Sequence, residues 1–309
     1  MNWDIRNCPL CDSDLSCAKP EIVSNKPANL MTFEEVKSYF VGIRKGQVFF
    51  TYYRCLKCDL LYCPYYFNED QLRMLYAEMP DNLMGEAKSI VSKTHMWYVN
   101  WIMSKQIFAK NYIEIGPDIG LVTREIDARL PIEHAFLVEP NKNVHMELSL
   151  NMPNCKDKNI VENLDNVEFS NFDLVVGIHV YDHLLEPVSD LKKLNKMCAT
   201  NSNLAIVVHN EKSKLRYFMK KAWPPFCLQH PQLYNPNTLS KLLELSGWQL
   251  VEFGSSINWF NLRHLSEMGI RALGMPEYLS KFFPDIQLPF KLGNIISWSR
   301  FLDSTKNHP

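Results

Sequence analysis

The stretch YIEIGPDIGLVTREI, from Tyr112 to Ile126, predicts a strand, a glycine turn and a helix in immediate succession. In α/β proteins this arrangement presents the N-terminus of the helix to a bound nucleotide-derived group. The unexpected residue is Asp118, an acid in the middle of the turn. A pyrophosphate requires backbone donors and is repelled by a nearby carboxylate. The turn therefore predicts a cofactor site that is unfavourable for a dinucleotide.

Short apolar runs alternate with helix-forming segments in the second half of the chain. These runs are NYIEIG, AFLVEP, FDLVVGIHV, LAIVVHN and WQLVEFG. The alternation predicts a parallel sheet with helices on both faces, so the fold class is α/β with a Rossmann-like doubly wound sheet. We expect this body to span residues 106–309, with LGNIISWSRF as a last strand, and to follow a helical connector at residues 68–105.

The cysteines are concentrated before this body. The candidate metal ligands are two CxxC pairs, Cys8 with Cys11 and Cys55 with Cys58. Two such pairs can offer four thiolates in a tetrahedron, which suits a structural zinc ion. Buried free thiols and a redox dithiol are the alternatives, although neither pair lies at the start of a thioredoxin-like helix. Residues 1–67 therefore predict a small zinc-ribbon-like domain whose closed Zn²⁺ site stabilises and does not catalyse.

The composition limits which classes of binding partner and which cellular compartment we expect. The formal net charge of the 309 residues is −1, so no global field attracts nucleic acid or an anionic membrane. The first residues are polar, unlike a signal peptide, and no apolar run approaches the roughly 20 residues that span a bilayer. We expect a cytoplasmic protein without a membrane span and without a nucleic-acid partner.

Three positions outline the cofactor site. Gly116 and Gly120 flank the turn, and Glu139 ends the next predicted strand, where a carboxylate can bind ribose hydroxyls. Ordinary packing of a strand on a helix is the alternative for such a pattern. S-adenosylmethionine has no phosphate and carries a sulfonium and an ammonium, so a carboxylate at Asp118 is compatible with it.

YIEIGPDIG resembles the first motif of class I S-adenosylmethionine-dependent methyltransferases, with Asp118 in place of the middle glycine. FLVEP is similar to the second-strand motif of that family, in which Glu139 occupies the position that binds the ribose diol. FDLVVGIHVYDHLLEP resembles its fourth-strand motif, and His230 opens a segment similar to the one before its sixth strand. The residues that carry these matches are Glu114, Gly116, Gly120, Phe172, Asp173, His179, Val180, His183, Pro187, His230, Tyr234 and Pro236.

The cysteine pairs and the segment after them look like the zinc-binding head of one branch of this family. That branch includes deoxysugar C-methyltransferases and methyltransferases of surface-glycan pathways. The resemblance implies methyl transfer to a small acceptor, a sugar unit of a nucleotide sugar or of a surface glycan. An RNA methyltransferase and a non-catalytic scaffold that binds zinc or S-adenosylmethionine are the alternatives; Asp118 is the best support for a scaffold that has lost cofactor binding. The sequence does not predict the oligomeric state.

Further residues have candidate roles at the site. Glu114 is predicted to lie near the ammonium of the cofactor, and Gly177 and His179 to approach the cofactor at the end of the fourth strand. Methyl transfer to a hydroxyl or an activated carbon releases a proton, which a histidine can accept near neutral pH. His183 and His230 are the predicted catalytic bases, with His179 and His209 as alternatives. The basic segment at residues 211–221 is either a solvated helix or an anion site for phosphates.

Overall fold

The protein is described from a computed structural model. The residues that it describes are 3–41, 48–77, 79, 88–272, 275–291 and 293–302. The predicted connector at residues 68–105 therefore includes positions outside the described residues (78 and 80–87), as does the end of the predicted body (303–309).

A mixed sheet of seven strands forms the centre of the described body. Its strands, in spatial order, are β10 (Asp157–Val161), β9 (His134–Val138), β8 (Asn111–Ile115), β11 (Phe172–Ile178), β12 (Cys198–His209), β17 (Asn294–Phe301) and β14 (Trp248–Ser255). The first five strands are parallel, and β17 runs antiparallel to both β12 and β14. From β8 the chain turns to β9 on one side, and it later returns to β11 on the other side. This reversal creates a switch point at the carboxyl ends of β8 and β11, where doubly wound folds bind ligands.

Helices cover both faces of this sheet. The described body helices are α3 (Lys88–Met103), α4 (Leu121–Asp127), α5 (His145–Leu150), α6 (Pro187–Asn195), α7 (Lys214–Met219), α8 (Pro236–Leu245) and α9 (Leu262–Ala272). Alternate residues of each strand enter different cores: Ile113 and Ile115 pack with Leu239 of α8, whereas Tyr112 packs with Val122 of α4. The predicted α/β fold is confirmed, although β17 makes the sheet mixed where a parallel sheet was expected.

The cysteine-bearing head, described over residues 3–41 and 48–67, is built from short elements. They are β1 (Asp4–Ile5), β2 (Ala18–Ile22), β3 (Lys26–Pro27), α1 (Phe33–Lys37), β4 (Val48–Phe49), β5 (Tyr52–Cys55), β6 (Leu61–Tyr62) and β7 (Tyr65–Tyr66). Helix α2 (Glu69–Ala77) follows the head. A sheet in the head has the order β13–β6–β5–β2, and its edge strand β13 (Gln232–Leu233) comes from the body. The head and the body therefore share a sheet.

A two-stranded antiparallel sheet and a helix lie between β14 and β17 in the chain. The sheet pairs β15 (Asn258–Asn261) with β16 (Gln287–Phe290), and α9 lies between these two strands in the chain. This is the region where the apolar pattern of the sequence becomes irregular. None of the helices in the described ranges combines the length and apolarity that crossing a bilayer requires.

Candidate active site

The turn after β8 requires both of its glycines. Gly116 and Gly120 have φ angles of 65° and 81°, in the left-handed region that favours glycine. A Cβ at Gly120 would lie 2.7 Å from Cδ1 of Leu148, and a Cβ at Gly116 would lie 3.1 Å from Cγ2 of Val180. The bare backbone at these positions allows α5 and the loop after β11 to approach the turn closely.

Asp118 and Glu139 meet at this turn. Asp118 also has a left-handed φ, 52°, which aspartate tolerates better than most residues. Its N–H donates to Oε2 of Glu139 at 2.9 Å, and the N–H of Asn141 donates to Oε1 at 2.8 Å. Burial raises the pKa of Glu139, and these two backbone bonds oppose that effect. Asp118 thus contributes a backbone donor that orients the carboxylate predicted to bind ribose.

Glu114 lies beneath the turn, with 1% of its surface exposed. The hydroxyls of Tyr112 and Thr123 both donate to its Oε2 at 2.6 Å. Burial raises the pKa of Glu114 to about 7. This carboxylate links β8 to the first turns of α4, and its predicted contact with a cofactor ammonium stays a prediction.

Gly177 in β11 is explained by packing. A Cβ there would lie 2.6 Å from Cε2 of Tyr181, a buried ring. Such a distance is shorter than real contacts of a Cβ, so a larger residue would displace the loop that follows the strand. The close approach of the cofactor predicted for Gly177 stays a prediction.

The histidines singled out in the sequence form one row. Ring centroids are 4.5 Å apart for His179 and His209, 4.9 Å for His209 and His230, and 4.6 Å for His230 and His183. His179 and His183 follow β11, His209 ends β12 and His230 precedes β13. The fold therefore gathers these histidines (the histidine row) at the carboxyl edge of the sheet, beside the switch point.

His183 and His230 each have a defined partner at Nδ1. The hydroxyl of Tyr76 lies 2.9 Å from Nδ1 of His183. Nδ1 of His230 lies 2.7 Å from the carbonyl of Pro225. Because a carbonyl only accepts, His230 carries a proton on Nδ1, and its Nε2 is the acceptor in the neutral ring. Burial holds the pKa of His183 well below its usual value. Burial is the largest single influence on His230 and lowers its pKa, but Cys227, Asp182 and the carbonyl of Pro225 together outweigh it and raise that pKa to about 9.

Asp182 lies beside His209, in the part of the histidine row formed by His179 and His209. In the sequence it is only a conservative departure from the family motif. It is fully buried, and its Oδ2 accepts from Nδ1 of His209 at 2.7 Å and from the backbone N–H of His209 at 3.0 Å. Nε2 of His179 lies 3.3 Å from the hydroxyl of Tyr98 and 3.3 Å from Nδ2 of Asn294. The position of Asp182 between two histidines in HVYDH could have indicated a functional role from the sequence. Nothing in the sequence around Tyr76 on α2 and Tyr98 on α3 indicates such a role.

The head holds the segment that carries His230. The hydroxyl of Tyr52 in β5 donates to the carbonyl of His230 at 2.8 Å. The N–H of Cys63 donates to the carbonyl of Pro231 at 2.8 Å. Gln232 in β13 donates to the carbonyls of Tyr181 at 2.9 Å and of Leu184 at 2.6 Å. Head, β13 and the loop of Asp182 and His183 are therefore connected by hydrogen bonds.

Two of the five cations in the basic segment at residues 211–221 form ion pairs with the head. Lys212 pairs with Asp59, and Arg216 pairs with Glu21 at 2.8 Å. The charges of Lys212 and Arg216 therefore have a structural role, in contacts between the segment and the head. The alternative of a phosphate site there gains no support from them.

The four cysteines of the head come together as the sequence predicts. Sγ of Cys8 lies 3.4 Å from Sγ of Cys58, and Sγ of Cys11 lies 3.6 Å from Sγ of Cys55. All four sulfurs lie within 4.8 Å of one another. A tetrahedral zinc with Zn–S bonds of about 2.3 Å separates its sulfurs by about 3.8 Å, so the cluster fits this ion after small shifts.

The two cysteine knuckles have the same local geometry. The N–H of Asp12 donates to the carbonyl of Cys8 at 2.8 Å, and the N–H of Asp59 donates to the carbonyl of Cys55 at 3.0 Å. Asp12 and Asp59 have left-handed φ angles of 54° and 67°. Each CxxC therefore ends in the same tight turn, which directs both of its thiols to one side.

Comparisons with known proteins agree with this geometry. The family model described as a methyltransferase domain matches residues 87–253, that is 167 of the 309 residues. A candidate methyltransferase of Bacillus halodurans C-125 is 13% identical, with 66% of this chain and 98% of that chain covered, at a TM-score of 0.50. A chain in the complex of the Haloferax volcanii Trm112 methyltransferase activator with a candidate methyltransferase is 11% identical, with 73% and 100% covered, at a TM-score of 0.52.

These two structures share the fold of the body. The N-methyltransferase NodS of Bradyrhizobium japonicum WM9, solved with S-adenosyl-L-homocysteine, is 12% identical, with 75% and 97% covered, at a TM-score of 0.49. No curated protein matches the chain in sequence. The family model covers more than half of the chain, and it includes the glycine turn, Glu139 and the strands that carry most of the histidine row. The chain belongs to the methyltransferase-domain family and is an S-adenosylmethionine-dependent methyltransferase.

Proposed function

We propose that this methyltransferase acts on a small polar acceptor, a sugar unit of a nucleotide sugar or of a surface glycan, and that its head holds one structural zinc ion. The observation that carries the proposal is the histidine row, which lies at the carboxyl edge of the sheet next to the cofactor turn. Such a row offers proton acceptors and hydrogen-bond donors to a hydroxylated acceptor. The likeness of the head to that of sugar methyltransferases supplies the acceptor class.

The cofactor site that we propose consists of the turn and the carboxylate beside it. Gly116, Asp118 and Gly120 would supply backbone, and Glu139 would bind the ribose hydroxyls with the lone pairs that its two backbone bonds leave available. S-adenosylmethionine supplies an electrophilic methyl group when it is bound. The work of the chain is to fix the acceptor opposite that methyl group, to exclude water and to accept one proton.

His183 and His230 are the bases that we propose. They lie edge to face at 4.6 Å, and each has a partner at Nδ1 that orients the ring. The Nδ1–H bond of His230 to Pro225 leaves Nε2 facing the acceptor. This nitrogen can receive a proton once the ring has lost its own, which its pKa of about 9 places above neutral pH, whereas His183, with its lowered pKa, is already neutral at pH 7. His230 is buried and His183 is half-buried, which favours a site with little water, where a released proton has few other acceptors.

Zinc would act only as structural support. Four thiolates fill a tetrahedral site, so no coordination position is left for an acceptor. The ion would hold the two knuckles, and through β5 and β6 it would also hold β13 and the segment of His230. We place the protein in the cytoplasm, because a reducing compartment suits a thiolate site of this kind.

A transfer assay with labelled methyl groups tests the acceptor class. The purified protein is incubated with methyl-labelled S-adenosylmethionine and, in separate reactions, with a panel of nucleotide sugars, with glycan fragments and with RNA. We expect label in a sugar product and none in RNA, since a net charge of −1 gives little attraction to a polyanion. Label in RNA would establish the nucleic-acid alternative, and failure to bind S-adenosylhomocysteine saturably would establish the scaffold alternative.

A further inference from the structure

We propose that His179, Asp182 and His209 form a divalent-cation site, separate from the cysteine cluster of the head. One ligand atom from each of the three side chains lies within 4.8 Å of the others. Two imidazoles and a carboxylate are a donor set that suits zinc, iron(II) and related first-row ions. The occupant that we infer is one such ion, held by the end of β12 and the loop after β11.

The first supporting observation is a buried oxygen. Asp182 is fully buried, and its Oδ1 has no hydrogen-bond partner among the described residues. Its Oδ2 accepts two hydrogen bonds from His209, so only Oδ1 lacks a hydrogen-bond partner among the described residues. A buried carboxylate oxygen without a partner is costly, because it has lost water and gained nothing. A cation beside Oδ1 would remove that cost.

The second observation is a buried nitrogen on the neighbouring ligand. Nδ1 of His179 is shielded from solvent and has no partner within the described part of the chain, whereas its Nε2 contacts Tyr98 and Asn294. When Nε2–H donates to the hydroxyl of Tyr98, with the amide of Asn294 turned so that its oxygen lies on that side, Nδ1 keeps the lone pair that a cation requires. An oxygen and a nitrogen without partners, on adjacent side chains, are both lone-pair donors that one cation can satisfy.

The third observation is the backbone of His179. Its φ angle of 53° lies in the left-handed region, which a histidine adopts uncommonly. Strain of this kind persists where the surrounding structure requires it, and it is frequent at functional sites. Here it brings His179 over the end of β12, with its ring centroid 4.5 Å from that of His209.

A purely hydrogen-bonded pair of Asp182 and His209 is the competing explanation. It accounts for the 2.7 Å contact between Oδ2 and Nδ1, since an aspartate often orients a histidine in this way. It does not account for the unpartnered Oδ1 of Asp182 or the unpartnered Nδ1 of His179. The cation accounts for all of these atoms.

Three protein ligands leave coordination positions open, in contrast to the closed site of four thiolates. His209 lies next to His230 in the histidine row, so the open positions would face the acceptor site that we propose. An ion there would bind oxygens of the acceptor, such as vicinal hydroxyls or a diphosphate. This last step rests on the proposed function, whereas binding of the ion does not.

Cobalt(II) distinguishes the two sites by their ligands. A protein with zinc already in the head is titrated with Co²⁺ in the absence of cofactor and acceptor. We expect one further equivalent to bind, with visible ligand-field bands but without the intense thiolate-to-cobalt charge-transfer absorption that a cysteine site gives. Failure to bind it, or a spectrum with that absorption, overturns the proposal.

Variants assign the ligands. Asp182→Asn and His179→Gln should each weaken Co²⁺ binding by more than the ~10–100-fold that the loss of an outer-shell partner costs. His183→Gln, in the same row but outside the site, should bind Co²⁺ as the wild type does. Binding of S-adenosylhomocysteine and the thermal transition report whether each variant is folded. If folded Asp182→Asn and His179→Gln bind Co²⁺ with unchanged affinity, the inference is wrong, whatever the acceptor proves to be.

Discussion

Arg54 of the head donates two parallel hydrogen bonds to Glu211 of the body, from Nη1 to Oε1 at 2.8 Å and from Nη2 to Oε2 at 2.9 Å. Glu211 is fully buried and follows β12 directly, and Nδ2 of Asn235 also donates to its Oε1 at 2.9 Å. Arg54 contacts Glu21 as well, with Nε at 2.8 Å from Oε2. Burial lowers the pKa of Arg54, but the two carboxylates outweigh it and raise that pKa. The ion pair therefore joins β5 to the body through two buried side chains.

Replacing Arg54 by Met should lower the free energy of unfolding by about 3–5 kcal/mol, because Glu211 would be left as a buried charge without its main partner. Urea denaturation measures this change. Arg73→Met is the matched control, since Arg73 pairs with Asp70 on the surface and little should change there. Equal losses in the two variants would show that the Arg54–Glu211 pair is not structurally important.

Purified protein should contain one zinc per chain in the head, and Cys55→Ser should reduce it. Because Tyr52 of the same strand holds the carbonyl of His230, we also expect the turnover of this variant to fall while binding of S-adenosylhomocysteine persists. Metal analysis, turnover and calorimetry are the measurements, with Cys17→Ser as the control. Absence of zinc, or a full complement of it in Cys55→Ser, would refute the cluster as a zinc site.

Glu139→Ala should weaken the binding of S-adenosylhomocysteine by about 1.5–3 kcal/mol, the size of hydrogen bonds to a charged group. Calorimetry measures the affinity. Two controls separate this effect from general damage. Glu133→Ala changes an exposed carboxylate at the other end of β9, and Asp118→Gly keeps the left-handed turn and its backbone donor. Both should bind nearly as well as the wild type. Unchanged affinity in Glu139→Ala would show that another residue binds the ribose.

Because of Glu114, the free energy of unfolding should fall as the pH rises. Its pKa is about 7 in the folded chain, above the ordinary value of 4.5, so folding retains a proton on this group. The stability that this proton contributes is complete below about pH 4.5 and is lost as the pH rises through 7. A shift of this size is worth about 3 kcal/mol.

Glu114→Gln should therefore lose less stability than the wild type between pH 5 and pH 8, because a carboxamide does not ionise in this range. Denaturation at several pH values measures the difference between the two proteins. Parallel curves for both would mean that Glu114 is already ionised when folded at low pH.

His230→Asn and His183→Asn should each reduce turnover, and loss of the general base should reduce it by about 10²–10⁴-fold. Affinity for S-adenosylhomocysteine should hardly change, because the cofactor turn lies on β8 and the loop after β9. Single-turnover assays on the identified acceptor separate the two histidines. If both variants turn over like the wild type, the proton leaves by another route, and His179 and His209 become the candidates.

The sequence predicted what depends on local pattern. The strand before Gly116, the strand before Glu139 and the last strand at Asn294–Phe301 are all present, because runs of apolar residues bounded by glycine or proline determine them. The histidines at strand ends could be expected near one another, since parallel strands end at the same edge of a sheet. The direction of β17 could not be predicted, because an apolar run has no preference for a parallel or an antiparallel partner.

Contacts between segments that are distant in the sequence could not be predicted from it. Strand β13 has two residues, and nothing in Gln232 or Leu233 indicates that they pair with Tyr62 and Leu61. Glu211 looked like part of a basic, solvated segment, and only the fold shows that it is buried against Arg54. Asp182 was visible beside His183, but its importance depends on His209, which lies 27 residues away. Such pairs are determined by topology, which a single sequence does not reveal.

The pairing of β13 with β6 also bears on how this enzyme can be shortened. A fragment that began at residue 68 would keep the whole seven-stranded sheet yet lose the partner of β13, two residues after His230. The hydroxyl of Tyr52 and the N–H of Cys63 would be removed with the head, so the carbonyls of His230 and Pro231 would lose their donors. If His230 acts as proposed, we therefore expect the joined chain to be the smallest catalytic unit, and exchange of the head for an unrelated module would remove the hydrogen bonds that hold the segment of His230.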